Sequence, residues 1–214
     1  SIKNSGFITQ FNQIDGGLQS RLIFLQPLEI ETNSGNSGAV QLKRQREVLV
    51  NDFEISDGVI IPPGDYEFES YSIEFKGARQ RAFAPFFDWS GGDFYNGDRL
   101  KLLAGLDWRP NSRVNLGLSY EYNDIVLPTG DFTTRLIQIN ANYSINARWS
   151  WINLIQYDNV SESAGIYSRL RWNPRAGQNL FIVLNQTLDA TGVFSGLKSD
   201  SLAFSVKYTH TLRL

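Results

Sequence analysis

The sequence predicts an all-β chain, a transmembrane up-and-down antiparallel β-barrel of about 12 strands with short periplasmic turns and longer extracellular loops. Three observations predict it. Apolar and polar residues alternate with a period of two over most of the chain, as a strand with two unlike faces requires. The alternating runs are about ten residues long, which suits a tilted membrane-spanning strand. Connections containing Pro, Gly and Asn separate them, alternately short and long.

Composition agrees with this class. The 214 residues are 42% hydrophobic and 13% aromatic, with 18 Gly, which rules out a disordered tract. The longest apolar runs, residues 102–106 and 180–184, fall far short of the about 20 residues of a spanning helix, so a helical membrane protein is excluded. Cysteine is absent, and with it any disulfide, thiolate nucleophile or Cys-based metal site. A net charge of −2 offers no basic excess for nucleic acid. The chain starts at Ser1 and contains no Met, which reads as a mature or truncated piece of an exported protein, organised as a single barrel domain over residues 1–214.

In chain order the strand centres fall near Ile8, Leu22, Leu42, Tyr71, Phe83, Leu103, Leu118, Ile139, Asn153, Leu170, Ile182 and Val206. Alternation is least regular toward the N-terminus, and the parity slips around Ser70 to Ser72, where a bulge is expected. Leu100, Leu102, Ala104, Leu106 and Trp108 then alternate with Arg99, Lys101, Leu103, Gly105 and Asp107. Val114, Leu116, Leu118, Tyr120 and Tyr122 alternate with Arg113, Asn115, Gly117, Ser119 and Glu121. Ala164, Ile166, Ser168, Leu170 and Trp172 oppose Gly165, Tyr167, Arg169 and Arg171. Residues 178–186 are apolar on both parities, which leaves their outward side open. The last strand is the clearest: Leu202, Phe204, Val206, Tyr208, His210, Leu212 and Leu214 share one parity, and Ala203, Ser205, Lys207, Thr209, Thr211 and Arg213 the other.

Counting back from the C-terminus, residues 173–177, 145–148, 109–112 and 77–79 form short turns. The connections between them, residues 187–199, 123–131, 89–98 and above all 51–65, form the long set. Trp108, Trp149, Trp151 and Trp172 fall beside the short turns, the depth at which indole rings mark a membrane interface. Trp89, Tyr95, Tyr122 and Tyr157 stand near the long set and supply an opposite belt. The competing architecture is soluble, a β-sandwich or a lipocalin-like barrel, whose core would have to hold all of this aromatic content.

No catalytic constellation emerges. The single histidine, His210, lies on the apolar parity of the last strand, which favours an interface role over a catalytic one and leaves no His-rich zinc site. Acidic clusters at residues 52–57, 65–69 and 88–98 lack EF-hand spacing and read as solvated loops rather than calcium ligands. Gly16-Gly17 and Gly91-Gly92 read as turn glycines, not phosphate cradles. Neither a cofactor nor a metal is indicated. The informative feature is the polar parity, on which Arg99, Lys101, Asp107, Arg113, Glu121, Arg169, Arg171, Lys207 and Arg213 become lumen-facing if the apolar parity faces lipid.

The block Gly91-Gly92-Asp93-Phe94-Tyr95-Asn96-Gly97-Asp98-Arg99 is followed by Leu127-Pro128-Thr129-Gly130-Asp131-Phe132-Thr133-Thr134 and Gln156-Tyr157-Asp158-Asn159. With Leu170-Arg171-Trp172 and residues 180–185, these resemble the C-terminal barrel region of large outer-membrane proteins that carry a family 9 carbohydrate-binding-like module ahead of the barrel. The resemblance spans Tyr66 to Leu214, and Pro62-Pro63-Gly64-Asp65-Tyr66 extends it. It implies a bacterial outer-membrane location and a parent barrel larger than this chain, and it carries over no catalytic residue. Two functions follow as expectations: a channel for small solutes or ions with an Arg/Lys-lined lumen, or a non-conducting anchor in the lipid bilayer for a binding module or a protein partner.

Overall fold

In the computed structural model, which describes residues 1–14, 16–191 and 198–211, the chain forms fourteen strands and, among those residues, no helix. They are β1 (Ile2–Asn12), β2 (Leu18–Glu31), β3 (Ser37–Leu49), β4 (Phe53–Ser56), β5 (Val59–Ile61), β6 (Gly64–Lys76) and β7 (Phe83–Phe94). There follow β8 (Gly97–Asn111), β9 (Val114–Leu127), β10 (Gly130–Ser144), β11 (Trp149–Asp158), β12 (Ser163–Trp172), β13 (Gln178–Asp189) and β14 (Lys198–His210). Twelve of them make one up-and-down antiparallel sheet in the order β1-β2-β3-β6-β7-β8-β9-β10-β11-β12-β13-β14, while β4 and β5 pair only with each other. Each of the twelve expected strand centres falls in a different strand of that sheet.

Side chains in the short turns close them as their residue types suggest. Asn111 Oδ1 accepts the backbone N–H groups of Arg113 (2.9 Å) and Val114 (3.1 Å). Asn146 Oδ1 does the same for Arg148 (2.8 Å) and Trp149 (3.0 Å), so each asparagine replaces the next missing ladder bond.

Two expected long loops are instead strand. Residues 89–98 lie mostly in β7 and β8, joined by Tyr95 and Asn96, and residues 123–131 lie mostly in β9 and β10, joined by Pro128 and Thr129. Their polar composition mimics a loop, yet Asn123, Ile125 and Leu127 are buried, and that packing keeps the strand extended. Of the other two expected long connections, 50–63 remains and contains the β4–β5 hairpin, while the one after β13 lies mostly outside the described residues. Nor is there a bulge at Ser70 to Ser72, where pairing to Gly92, Gly91 and Ser90 runs unbroken. Register does shift between Leu25 and Leu28, around Pro27, which has no N–H for the ladder.

Contacts cluster the chain into two units: unit 1 comprises residues 1–80, 85–104 and 121–134, and unit 2 comprises 81–84, 105–120 and 135–214. In unit 1 the rows Leu25–Leu42–Tyr71, Leu28–Val40–Ile73–Trp89 and Phe75–Phe87 run across one face of the sheet. Farther along the same face the apolar rows give way to charge. Arg44 pairs with Glu67 (2.7 Å) and Glu69 (3.5 Å), and Arg46 with Asp65 (2.5 Å).

Apolar rows cross unit 2 as well. There the rows Ile139–Ile155–Ile166 and Tyr143–Trp151–Leu170–Ile182–Val206 occupy one face, and most of their large side chains are exposed. The register also resolves residues 178–186: Leu180, Ile182 and Leu184 align with Tyr208, Val206 and Phe204, whereas Phe181 and Val183 align with Lys207 and Ser205 on the other face. Among the described residues only eight hydrophobic side chains are buried.

Four of those eight, Val59, Ile61, Ile125 and Leu127, form a small core in unit 1, with Leu49, Ile55, Tyr66, Phe94, Tyr95 and Phe132 packed around it. The hairpin thus has a hydrophobic seat of its own. Two glycines permit the close approach of neighbouring backbone there. A Cβ on Gly97 would stand 2.0 Å from the Val126 carbonyl oxygen, and one on Gly92, whose φ is +135°, would stand 2.4 Å from that of Glu69. Gly91-Gly92 is therefore strand backbone, not a turn. Gly92→Ala and Gly97→Ala should each cost at least about 1–3 kcal/mol from overlap and backbone strain. A lowered denaturation midpoint, followed by tryptophan fluorescence, checks this; unchanged midpoints would refute the close approach.

Candidate functional site

On the polar face of unit 1, the side chains of Arg99, Lys101 and Glu121 are joined through Asn123. Arg99 Nη2 donates to Asn123 Oδ1 (2.8 Å), and Asn123 Nδ2 donates to Glu121 Oε1 (3.1 Å) and Thr134 Oγ1 (3.0 Å). Lys101 Nζ lies 3.2 Å from the same Glu121 oxygen. Arg99 also sits over the Phe94 ring, 5.4 Å from its centroid, and its Nε is buried without a protein partner. Buried charged donors are rarely left so.

A cavity of about 400 Å³ opens beside this network. Lys43, Glu47, Asp88 and Asp93 bring charge to its wall with Arg99 and Lys101, and Ser70, Ser72 and Ser90 bring hydroxyls. Its aromatic end is Phe68, Phe94 and Tyr95, next to the hairpin core. Tyr95 adopts a left-handed φ of 54°, strained for a side chain of this size, and its neighbours hold it there. Its ring lies 5.3 Å from Tyr66, 5.1 Å from Phe68 and 5.0 Å from Phe94, and its hydroxyl donates to Glu47 Oε2 at 2.9 Å. Burial, and then the Glu47 carboxylate, raise the Tyr95 phenol above its usual range. The neutral phenol is thus favoured in the fold, so this tie holds below the ordinary tyrosine range and is lost as pH climbs through the raised value. Tyr95 consequently belongs to the hairpin seat and not to an exposed aromatic belt.

In unit 2 the register sets Arg171 opposite Phe181 and Phe181 opposite Lys207, with Arg169 opposite Val183, so Arg169, Arg171 and Lys207 share a face. Arg169 lies 5.9 Å from the Phe181 ring centroid, and Arg171 Nε donates to Asn179 Oδ1 at 3.0 Å. Asp107 joins them by parity: a Cβ on Gly117 would meet its Oδ1 at 3.2 Å and the Asn140 Cβ at 3.6 Å. Arg113 lies in the turn before β9 and lines a cavity with Arg171. Arg213 lies outside the described residues.

The opposite face of unit 2 carries the tryptophans. Trp149 and Trp172 are register partners whose rings stack at 5.4 Å, and Trp108, Trp151 and Trp172 are exposed. His210 is exposed 6.5 Å from the Tyr208 ring. Polar groups on this face satisfy one another. Trp151 Nε1 donates to Ser168 Oγ (2.8 Å), Ser168 Oγ to Asn153 Oδ1 (2.8 Å), and Asn153 Nδ2 to the Ala141 carbonyl (3.1 Å).

Lys43, Glu47 and Asn123 were not singled out by the sequence pattern, and Asp88 was grouped only with an acidic cluster read as a solvated loop. Lys43 was within its reach, since it follows Leu42, the centre of a strand whose parity it reverses. Asn123 was hidden by its assignment to a loop.

No family model matches the chain, and no curated protein matches it. A solved structure described as "NanC porin structure in rhombohedral crystal form" is similar over 99% of both chains, at 12% identity and a TM-score of 0.39. At that level the likeness assigns neither solute nor mechanism.

Proposed function

We propose that the chain is a bacterial outer-membrane β-barrel whose polar face lines a path for small polar or anionic solutes, narrowed by the β4–β5 hairpin. One observation carries the membrane reading: the sheet exposes continuous apolar rows, and the Asn153 and Ser168 side chains within them close their hydrogen bonds internally. Water makes such closure unnecessary, whereas lipid offers no other partner. Exposed apolar area on this scale is also what a soluble sandwich would have buried. The step from apolar rows to the Arg44, Arg46, Asp65, Glu67 and Glu69 ion pairs matches a hydrocarbon boundary.

For the path, the polar face supplies Lys43, Arg99, Lys101, Arg113, Arg169, Arg171 and Lys207 against Glu47, Asp88, Asp93, Asp107 and Glu121, a small but still basic excess. Rings of such charge bias a pore toward anions. The apolar hairpin seat favours the competing reading, a plugged barrel that anchors a binding module or partner. Planar-bilayer recordings separate the two. The folded chain should give discrete current steps with anion preference; their absence from protein shown to be folded would leave the anchor.

A further inference from the structure

Beyond conduction, we propose that the turn end of unit 2 holds a binding site for a phosphate group, formed by Arg113, Arg148 and Arg171. The three side chains line one cavity of about 580 Å³ together with Ser144, Ser150 and Asn173, and no acid lines it. Separate turns bring them together. Asn111 closes the turn that carries Arg113, and Asn146 closes the turn that carries Arg148. Backbone hydrogen bonds then stitch the turns to one another: Ser144 N donates to the Arg113 carbonyl and Asn173 N to the Arg148 carbonyl, both at 2.8 Å. Ser150 is the register partner of both Ser144 and Arg171, so hydroxyls and guanidinium share this face.

The electrostatics are unbalanced. Arg171 Nε is held by Asn179 Oδ1 (3.0 Å), which also accepts from Asn173 Nδ2 (3.1 Å), so the guanidinium is fixed in orientation. Arg113 and Arg148 are exposed, and neither forms a salt bridge among the described residues. Three like charges held at one cavity by stitched backbone repel one another unless an anion enters. Guanidinium forks match the oxygens of a phosphate group two at a time, and a phosphate dianion offsets most of the charge. That group belongs either to a soluble phosphate or phosphoester or to a lipid headgroup.

Calorimetric titration of the full chain, folded in detergent at constant chloride, tests the site where no current is read, so its failure and that of the pore are distinguishable. One arm uses inorganic phosphate and the other short-chain phosphatidic acid in mixed micelles. Saturable binding is expected in at least one arm, weakened about tenfold by Arg113→Ala or Arg148→Ala and less by Arg148→Lys, which keeps the charge but not the fork. Binding in the first arm assigns a solute; binding only in the second assigns a headgroup. No saturable binding in either, or affinity unchanged by Arg148→Ala, overturns the site. Both arginines are exposed turn residues, and heat-modifiable gel mobility verifies that the variants fold.

Discussion

Replacing residues 51–62 with a short Gly/Ser link should raise single-channel conductance several-fold while leaving the twelve-stranded sheet folded. The hairpin is the part of the chain whose attachment is least redundant. Strands of four and three residues do not hold together alone, so β4 and β5 persist because Val59 and Ile61 are buried against Ile125 and Leu127. Ile61 is only 1% exposed, the deepest large side chain among the described residues. Truncating such a residue costs about 2–5 kcal/mol, and placing an unpaired carboxylate there costs more. Ile61→Asp should therefore release the hairpin without deleting it and reproduce the conductance gain. Leu49, Tyr66, Phe94 and Phe132, which surround the seat, belong to strands of the main sheet, so the ladder itself remains. Equal conductance in the native chain, the deletion and Ile61→Asp would show that the hairpin does not narrow a path.

That hairpin marks the limit of what the sequence reveals. The period of two in β14 was legible because one parity is almost wholly apolar and the other almost wholly polar. In β13, Phe181 and Val183 put apolar groups on the polar face as well, and only pairing with Lys207 and Ser205 assigned them. The β4–β5 segment has no period long enough to read, since its stability comes from Ile125 and Leu127, far away in sequence. Burial against it also makes strand of Asn123 to Leu127, whose Asn-Asp start and following Pro-Thr-Gly suggest a loop. Among the site residues, parity grouped Arg99, Lys101 and Glu121 because they lie within strands, and the structure adds the Asn123 link between them. Arg148 escaped because parity has no meaning in a turn: its place beside Arg113 and Arg171 depends on how the turns are stitched.

The apolar rows make the membrane reading sharply testable, because lipid and water predict different costs for the same substitution. Ile155 lies between Ile139 and Ile166 in register and is 41% exposed. If that face meets water, Ile155→Arg replaces a half-exposed side chain by one that hydrates readily, and the change stays within about 0.5 kcal/mol. Against hydrocarbon the guanidinium loses its hydration, and a basic residue on the lipid face near mid-depth costs about 2–4 kcal/mol. Asn185→Arg is the matched control, since Asn185 aligns with Tyr167 and Ala203 on the polar face. Urea titrations of both variants folded into phospholipid vesicles should show Ile155→Arg destabilised by that larger amount and Asn185→Arg nearly unchanged. In lipid the loss cannot be recovered by a nearby acid, because the neighbouring rows, Ala141–Asn153–Ser168 and Ile137–Tyr157–Ala164, offer none. Equal stability of the two variants would mean that the apolar rows face water, and the outer-membrane assignment would fall with them.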